Sequence, residues 1–293
     1  MSAALASRAS RWFYPVALLG PIALLYIAVY FGGLAMIGLT SLGLSPGSQP
    51  AVPIYANYRA AIMAPALQGI VWRTVYVGLA TVAACLILGF PVARYITSST
   101  GRWRGLVLIC VLSPLMVSAI GRIFGWVALF GPGSWVADLM VKLLGSRSTG
   151  LLYTETAMVI GLTNLLLPFM VLSVAASRTH LDADLLKAAS SLGATPFAAF
   201  WEIEFPLSLP GVVSGTLIVF SLAASNFVTA ALLGGSGRDV VAYHVYLDIL
   251  VYFEEKRGAA LAVLLLIADV LLMMAAIRVA RGLDRTRPRG AAA

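Results

Sequence analysis

The sequence predicts an all-α polytopic membrane protein, with six transmembrane helices and a helical hairpin on the cytoplasmic side. Three observations carry that prediction. The 293 residues are 60% hydrophobic and only 11% charged, about half the charge fraction of a soluble domain. The apolar residues fall into six long runs, and the basic residues cluster at the ends of those runs, where positive charge orients membrane helices. The same placement excludes nucleic acid as a partner: the net charge of +8 is not gathered on one arm or face. Membrane lipid is the partner it implies.

The first span covers about residues 13–40, preceded by Arg8 and Arg11. It is too long for the core of a cleaved signal peptide, which has about 7–15 apolar residues, and is read as an uncleaved span. Pro15 and Pro21 lie near its start, where a missing N–H costs least. A turn-rich stretch with Pro46, Pro50 and Pro53 follows. The second span is placed at 70–96, between Arg73 and Arg94, and the third at 105–130, containing Pro114 and Arg122. In the loop after it, Val136, Leu139, Met140, Leu143 and Leu144 recur at helical spacing, which predicts a short amphipathic helix at the interface. The fourth span, 154–177, holds Asn164 and Pro168; the fifth is placed at 208–233 and the sixth at 259–278. The whole of 1–293 is read as a single transmembrane domain.

With the N-terminus inside, twelve Lys and Arg residues fall on cytoplasmic segments and seven on outer ones. That bias places both termini in the cytoplasm. It puts Asp182–Gly211 there too, the one long stretch between spans that mixes charge, small residues and a helical pattern.

Several chemistries have no residues to carry them. There is no phosphate-binding GxxxxGK[ST] loop, so no nucleotide site and no cofactor is expected on this chain. His180 and His244 lie in loops on opposite sides, out of reach of Ser214 in the fifth span, which argues against a serine protease. Cys85 and Cys110 sit inside apolar runs and form no metal or redox spacing, so neither a metal site nor a catalytic residue is expected. The polar residues inside the spans are the candidates for a solute path. Arg122 costs about 2.5–3.5 kcal/mol at a helix centre on insertion scales; it either snorkels to the outer surface or lines a path. Asp269 either faces a cavity or pairs with a neighbouring helix, the second reading being preferred. Asn164 and Asn226 read as interhelical hydrogen-bond donors and acceptors or as path residues. Ser225, Asn226 and Thr229 lie in a fifth span rich in small and hydroxyl side chains, which suits close helix approach as well as a polar path.

The stretch from Asp182 then resembles a known signature. Ala188 and Ala189, followed four residues later by Gly193, then Ile203 and Pro206 with PLSLPG beyond, are similar to the cytoplasmic loop of ABC importer permeases. Gly193 permits a turn between two short helices, and Thr195-Pro196 starts the second as cap and first residue. The runs RTVYVGLATVAACLILGFPVARYI, SPLMVSAIGRIFGWVALFGPGSW and FSLAASNFVTAALLGG resemble the spermidine/putrescine branch of that family, whose members also handle opines and ferric iron. The resemblance covers about residues 55–275.

It implies a type I, binding-protein-dependent permease of the inner membrane, with no catalysis of its own. It implies a coupling loop at 182–206 in which Lys187, Ala188, Ala189, Gly193, Ala194, Ile203 and Pro206 meet a cytoplasmic ATPase dimer. ATP and Mg would then sit on those partner subunits. A second permease subunit, heterodimeric in preference to homodimeric, and a periplasmic substrate-binding protein complete the expected assembly. The expected solute is polyamine-like; an opine, an amino-acid-like solute or ferric iron is the alternative within the branch, and an ion-coupled secondary transporter the alternative outside it. Lys187 departs from the glutamate usual in that position, which reverses or removes the contact expected there.

Overall fold

The computed structural model describes residues 2–44, 56–63, 65–144, 151–179, 183–235 and 237–285. His180, Asp182, the prolines of the 45–55 stretch and the basic tail beyond Arg285 lie outside the described residues. All regular elements among them are helical. In order they are α1 Ser2–Ser41, α2 Ala56–Met63, α3 Pro65–Ser98, α4 Arg102–Met116, α5 Ala119–Phe130, α6 Trp135–Leu144, α7 Glu155–Arg178, α8 Ala183–Ser191, α9 Pro196–Ala199, α10 Phe205–Ala224, α11 Phe227–Thr229, α12 Val241–Tyr246 and α13 Glu255–Arg285. Among the described residues five helices are long and apolar enough to cross a membrane, within Leu19–Ser41, Leu67–Ser98, Glu155–Arg178, Pro196–Ala224 and Glu255–Arg278. The pair α4 and α5, bent by 98°, is together long and apolar enough to make a sixth, as a broken span, or to form a re-entrant loop.

The chain divides into two compact units. One comprises residues 1–63 and 247–264. In it Ser41 Oγ and Tyr58 hydroxyl share a 2.6 Å hydrogen bond. Asp248, fully buried, accepts two hydrogen bonds from Arg257, at 2.6 and 2.9 Å. Its backbone carbonyl also accepts from the Glu254 N–H. A charge this deep is tolerated only because both its oxygens are paired. The same turn requires Gly258, where an added Cβ would come within 2.5 Å of Ile249.

The other unit comprises residues 64–246 and 265–293. Its centre is α7, packed against α3 and α10, which also pack on each other. Met158, Met170, Val171, Val174, Cys85, Val77 and Val219 close this core. Lipid is as apolar as the side chains, so the helices are held by close packing rather than by a hydrophobic drive. Glycine supplies that closeness. A Cβ at Gly211 would lie 2.2 Å from Ser177 Oγ and 2.5 Å from the Ser173 carbonyl. At Gly215 it would lie 2.7 Å from Met170 Sδ.

At the end of the bundle near Arg73, that side chain donates to Glu155 at 2.8 Å and to the Gly237 carbonyl at 3.1 Å. Thr74 Oγ1 accepts from the Val241 N–H, and Arg238 donates to the Tyr153 carbonyl. These bonds fasten the loop after the fifth span to α3 and α7.

The third and fifth spans, placed at 105–130 and 208–233, are each interrupted. Pro114 gives no N–H to the Cys110 carbonyl, which accepts from Ser113 Oγ instead, and Val117 then takes an extended conformation (φ −93°, ψ 138°). The chain turns there. The fifth span begins earlier, at Pro196, and passes through a π-helical turn at Phe200–Glu204. It stops at Ala224, where Asn226 leaves helical geometry to cap a new turn, accepting from the Thr229 N–H at 2.9 Å. A second π-helical turn, Ala230–Gly234, ends at Gly235 with φ +70°.

Candidate functional site

Two constructions stand out in the second unit: the hairpin after α7, and a cavity at the bend between α4 and α5.

The hairpin is α8, a tight turn and α9. Ala194 N–H bonds to the Ala189 carbonyl and Gly193 N–H to the Ser190 carbonyl. Gly193 has φ +85°. This pair of bonds around a left-handed residue is the Schellman ending of a helix, and glycine adopts it without a Cβ penalty. No atom lies within 4 Å of a Cβ placed at Gly193, so its backbone conformation alone constrains the residue. Thr195 Oγ1 then caps α9, accepting from the Ala198 N–H, and Pro196 occupies the first turn. Of the residues expected in the coupling loop, Ala188 is exposed, Ala189 buried, and Ala194, Ile203 and Pro206 half-buried. Lys187 donates to Asp184 on its own helix at 2.8 Å, with both side chains about three-quarters exposed. Leu192 and Phe197 are 89% and 74% exposed, apolar surface that the hairpin presents rather than buries.

At the root of the hairpin lies a charged cluster that sequence reasoning missed. Glu204, 1% exposed, accepts from Arg178 at 2.7 Å and forms an ion pair with Arg94 at 2.9 Å. Arg178, itself 5% exposed, donates also to Thr97 Oγ1 at 3.0 Å and lies over the Phe90 ring at 5.8 Å. Phe90, Phe200, Trp201 and Phe205 pack on one another with ring centroids 5.2–6.1 Å apart. One signal was present in the sequence. Arg94 ends the second span, Arg178 ends the fourth and Glu204 precedes the fifth, so topology brings all three to one depth.

The cavity has a volume of about 540 Å³ and is lined by Met116, Ser118, Arg122, Leu166, Phe169 and Asn226 among others. Arg122 is half-buried on this wall, and its Nη1 is buried without a hydrogen-bond partner. Of the residues expected on a solute path, the structure brings Arg122 and Asn226 together here. The rest lie elsewhere. Asn164 is half-buried on α7 and does not line the cavity. Ser225 bonds back to the carbonyls of Ser221 and Leu222. Thr229 is 1% exposed, with its methyl against Gly161. Asp269 accepts from Ser221 Oγ and lines a separate and mostly apolar pocket with Leu79, Thr216 and Phe220.

Residues 86–287 match the family described as "Binding-protein-dependent transport system inner membrane component". The chain belongs to that family. It is 31% identical over 237 residues to the spermidine/putrescine transport system permease protein PotB of Haemophilus influenzae, covering 80% of this chain and 82% of that one. To PotB of Escherichia coli K12 it is 27% identical over 262 residues, 89% and 95% of the two chains. Its fold is similar to a chain of a bacterial alginate ABC transporter solved with an alginate pentasaccharide-bound periplasmic protein. There the TM-score is 0.72 at 16% identity, over 94% of this chain and 96% of that one. As a member of the family, the chain is a multi-pass inner-membrane permease subunit of an ABC importer, a transport component and not an enzyme.

Proposed function

We propose that this chain pairs with a second permease subunit to form the path by which an ATP-driven importer moves a small polar solute from periplasm to cytoplasm. The observation that carries this is the hairpin. Its glycine-ended α8 and threonine-capped α9 present Leu192 and Phe197 to a partner, while Glu204 at its base is clamped to α3 and α7. A hairpin built in this way passes a push on its tip to the spanning helices as a rigid element. The partner is a cytoplasmic ATPase dimer that holds ATP and Mg, meeting Lys187, Ala188, Ala189, Gly193, Ala194, Ile203 and Pro206. Both termini lie in the cytoplasm with the hairpin. A periplasmic binding protein delivers the solute to the opposite face. In preference to two copies of this chain, the permease pair is a heterodimer.

Two readings of the solute rest on different support. The relatives named for spermidine and putrescine transport favour a polyamine. The unpaired Arg122 in the cavity favours a solute of similar size that carries an anionic group, such as an opine or an amino-acid-like molecule. Uptake measured in cells lacking the cognate ATPase tests the importer reading: transport must vanish, and transport that survives points to an ion-coupled carrier. A thermal-shift screen of the partner binding protein against spermidine, putrescine, octopine and amino acids decides the solute.

A further inference from the structure

A guanidinium inside a membrane protein needs a counter-charge, because a lone cation in a low-dielectric setting costs several kcal/mol. Three arginines of this unit meet that need: Arg94 and Arg178 share Glu204, and Arg73 has Glu155. Arg122, within the third span, does not. Its Nη1 is buried and unpartnered, and none of the residues lining its cavity is acidic. Asp269 on α13 belongs to the other pocket and is taken by Ser221.

The second polar side chain of the cavity reinforces the sign. Asn226 uses its Oδ1 to cap Thr229, so the group it has left to offer is the amide NH₂, a donor. Ser118 adds a hydroxyl, and Phe169, Leu166 and Met116 add apolar wall. At about 540 Å³ the cavity is within the size range of small-molecule sites, which combine apolar walls with a few polar groups. It lies where two spanning elements lose helical geometry, at the α4–α5 bend and at the α10–α11 break. Irregular backbone at membrane depth occurs where it lines a cavity.

We infer that this cavity is an oxyanion subsite of the solute path, in which Arg122 and the Asn226 amide hold a carboxylate or similar group of the transported solute. The inference rests on the importer reading above and narrows it: the solute is acidic or zwitterionic, and a purely cationic polyamine is repelled at this point. A lipid phosphate offers the same chemistry, so the test must separate the two sources.

The experiment is charge-selective labelling of Ser118→Cys, on the wall of the same cavity, in the full-length chain, purified with its permease partner and with Cys85 and Cys110 replaced by alanine. Reaction rates with an anionic and a cationic methanethiosulfonate are compared. The expected result is that the anionic reagent reacts at least about tenfold faster relative to its rate with a free thiol, the scale of one unit charge at contact distance in a partly hydrated site. Arg122→Gln must abolish that preference and Arg122→Lys must keep most of it, which separates charge from folding.

Protection is then measured with millimolar glutamate, octopine and spermidine, in phosphatidylcholine discs with and without phosphatidylglycerol. Slowing by glutamate or octopine and not by spermidine supports the assignment. Equal rates for the two reagents, or protection by spermidine, overturns it. Protection by phosphatidylglycerol alone gives the site to lipid and overturns it as a solute subsite. Labelling reads this chain's cavity alone, so its outcome is independent of whether uptake requires the ATPase.

Discussion

The clamp on Glu204 gives the sharpest energetic prediction, because its two arginines differ about tenfold in exposure. Arg178 is 5% exposed and Arg94 51%, and both reach the same carboxylate oxygen. Replacing Arg94 with methionine removes a contact that water already screens, and the expected cost is about 1 kcal/mol or less. Replacing Arg178 with methionine leaves Glu204 buried beside a single half-exposed partner. Truncating one side of a buried pair costs about 3–5 kcal/mol. Glu204→Gln belongs in that same range, since it keeps an acceptor for Arg178 but removes its counter-charge, leaving the buried guanidinium against the Phe90 ring with only neutral partners. The double replacement Arg178→Met with Glu204→Leu removes both buried charges and lets Arg94 turn to water. It should cost less than either buried single change, because an apolar pair of similar volume is often as stable as the ion pair it replaces. Unfolding in detergent, followed by the fluorescence of Trp201 packed 5.2 Å from Phe205, measures all four. Equal costs for the two arginines, or a double change that costs the sum of its parts, would refute the assignment of burial as the deciding term.

Other substitutions test the remaining structural claims. Gly193→Val forces a β-branched residue to φ +85°, a strain of about 1–3 kcal/mol; membrane insertion is expected to stay normal while ATP hydrolysis by the assembled transporter no longer tracks uptake, and failure to insert would make the turn purely structural. Gly211→Ala must push α10 away from the Ser173 carbonyl and lower the melting temperature sharply, whereas Gly125→Ala, which meets no atom within 4 Å, should leave it unchanged. Lys187→Glu is expected to shift the affinity for the ATPase with little effect on thermal stability, because the exposed pair it breaks with Asp184 contributes about 0.5 kcal/mol; an unchanged affinity would remove Lys187 from the docking surface. Replacing His180 and His244 together with alanine should leave uptake intact, and a loss of uptake would reopen a chemical role for the chain.

Apolar run lengths made the helical membrane fold legible, and the spacing of Ala188, Ala189 and Gly193 made the hairpin legible. Both signals are local: a run long enough to span, and a small-residue turn whose geometry only glycine accepts. The bend of the third span was not legible, although Pro114 was visible. Proline weakens a helix without saying whether neighbours will hold it straight, and the extended Val117 that completes the turn has no signature of its own. The break at Asn226 is similar. Asparagine inside a span reads equally as hydrogen-bond glue and as a cap, and only the bond from Thr229 N–H decides for the cap. Long-range charge pairing escaped altogether, since Arg94, Arg178 and Glu204 lie up to 110 residues apart and each reads alone as an ordinary span-end residue.

The two charge sites of the second unit follow from one electrostatic rule with opposite outcomes. Glu204 is enclosed and paired with two arginines, and a group in that state resists displacement, as a lever joining the hairpin to two helices requires. Arg122 is partly enclosed and unpaired, and a group in that state gains most from an arriving anion. Had Asn226 been an aspartate at the same cavity wall, its carboxylate would have given Arg122 a partner and removed the reason to bind one from outside. Asn226→Asp is therefore the complementary test of the subsite. It should cancel the preference of the site for anionic labels introduced at a neighbouring wall position such as Ser118→Cys, while costing little stability, because the new carboxylate is created beside a cation that lacks one. A persisting anionic preference in that variant would mean that charge other than Arg122 sets the potential of the cavity.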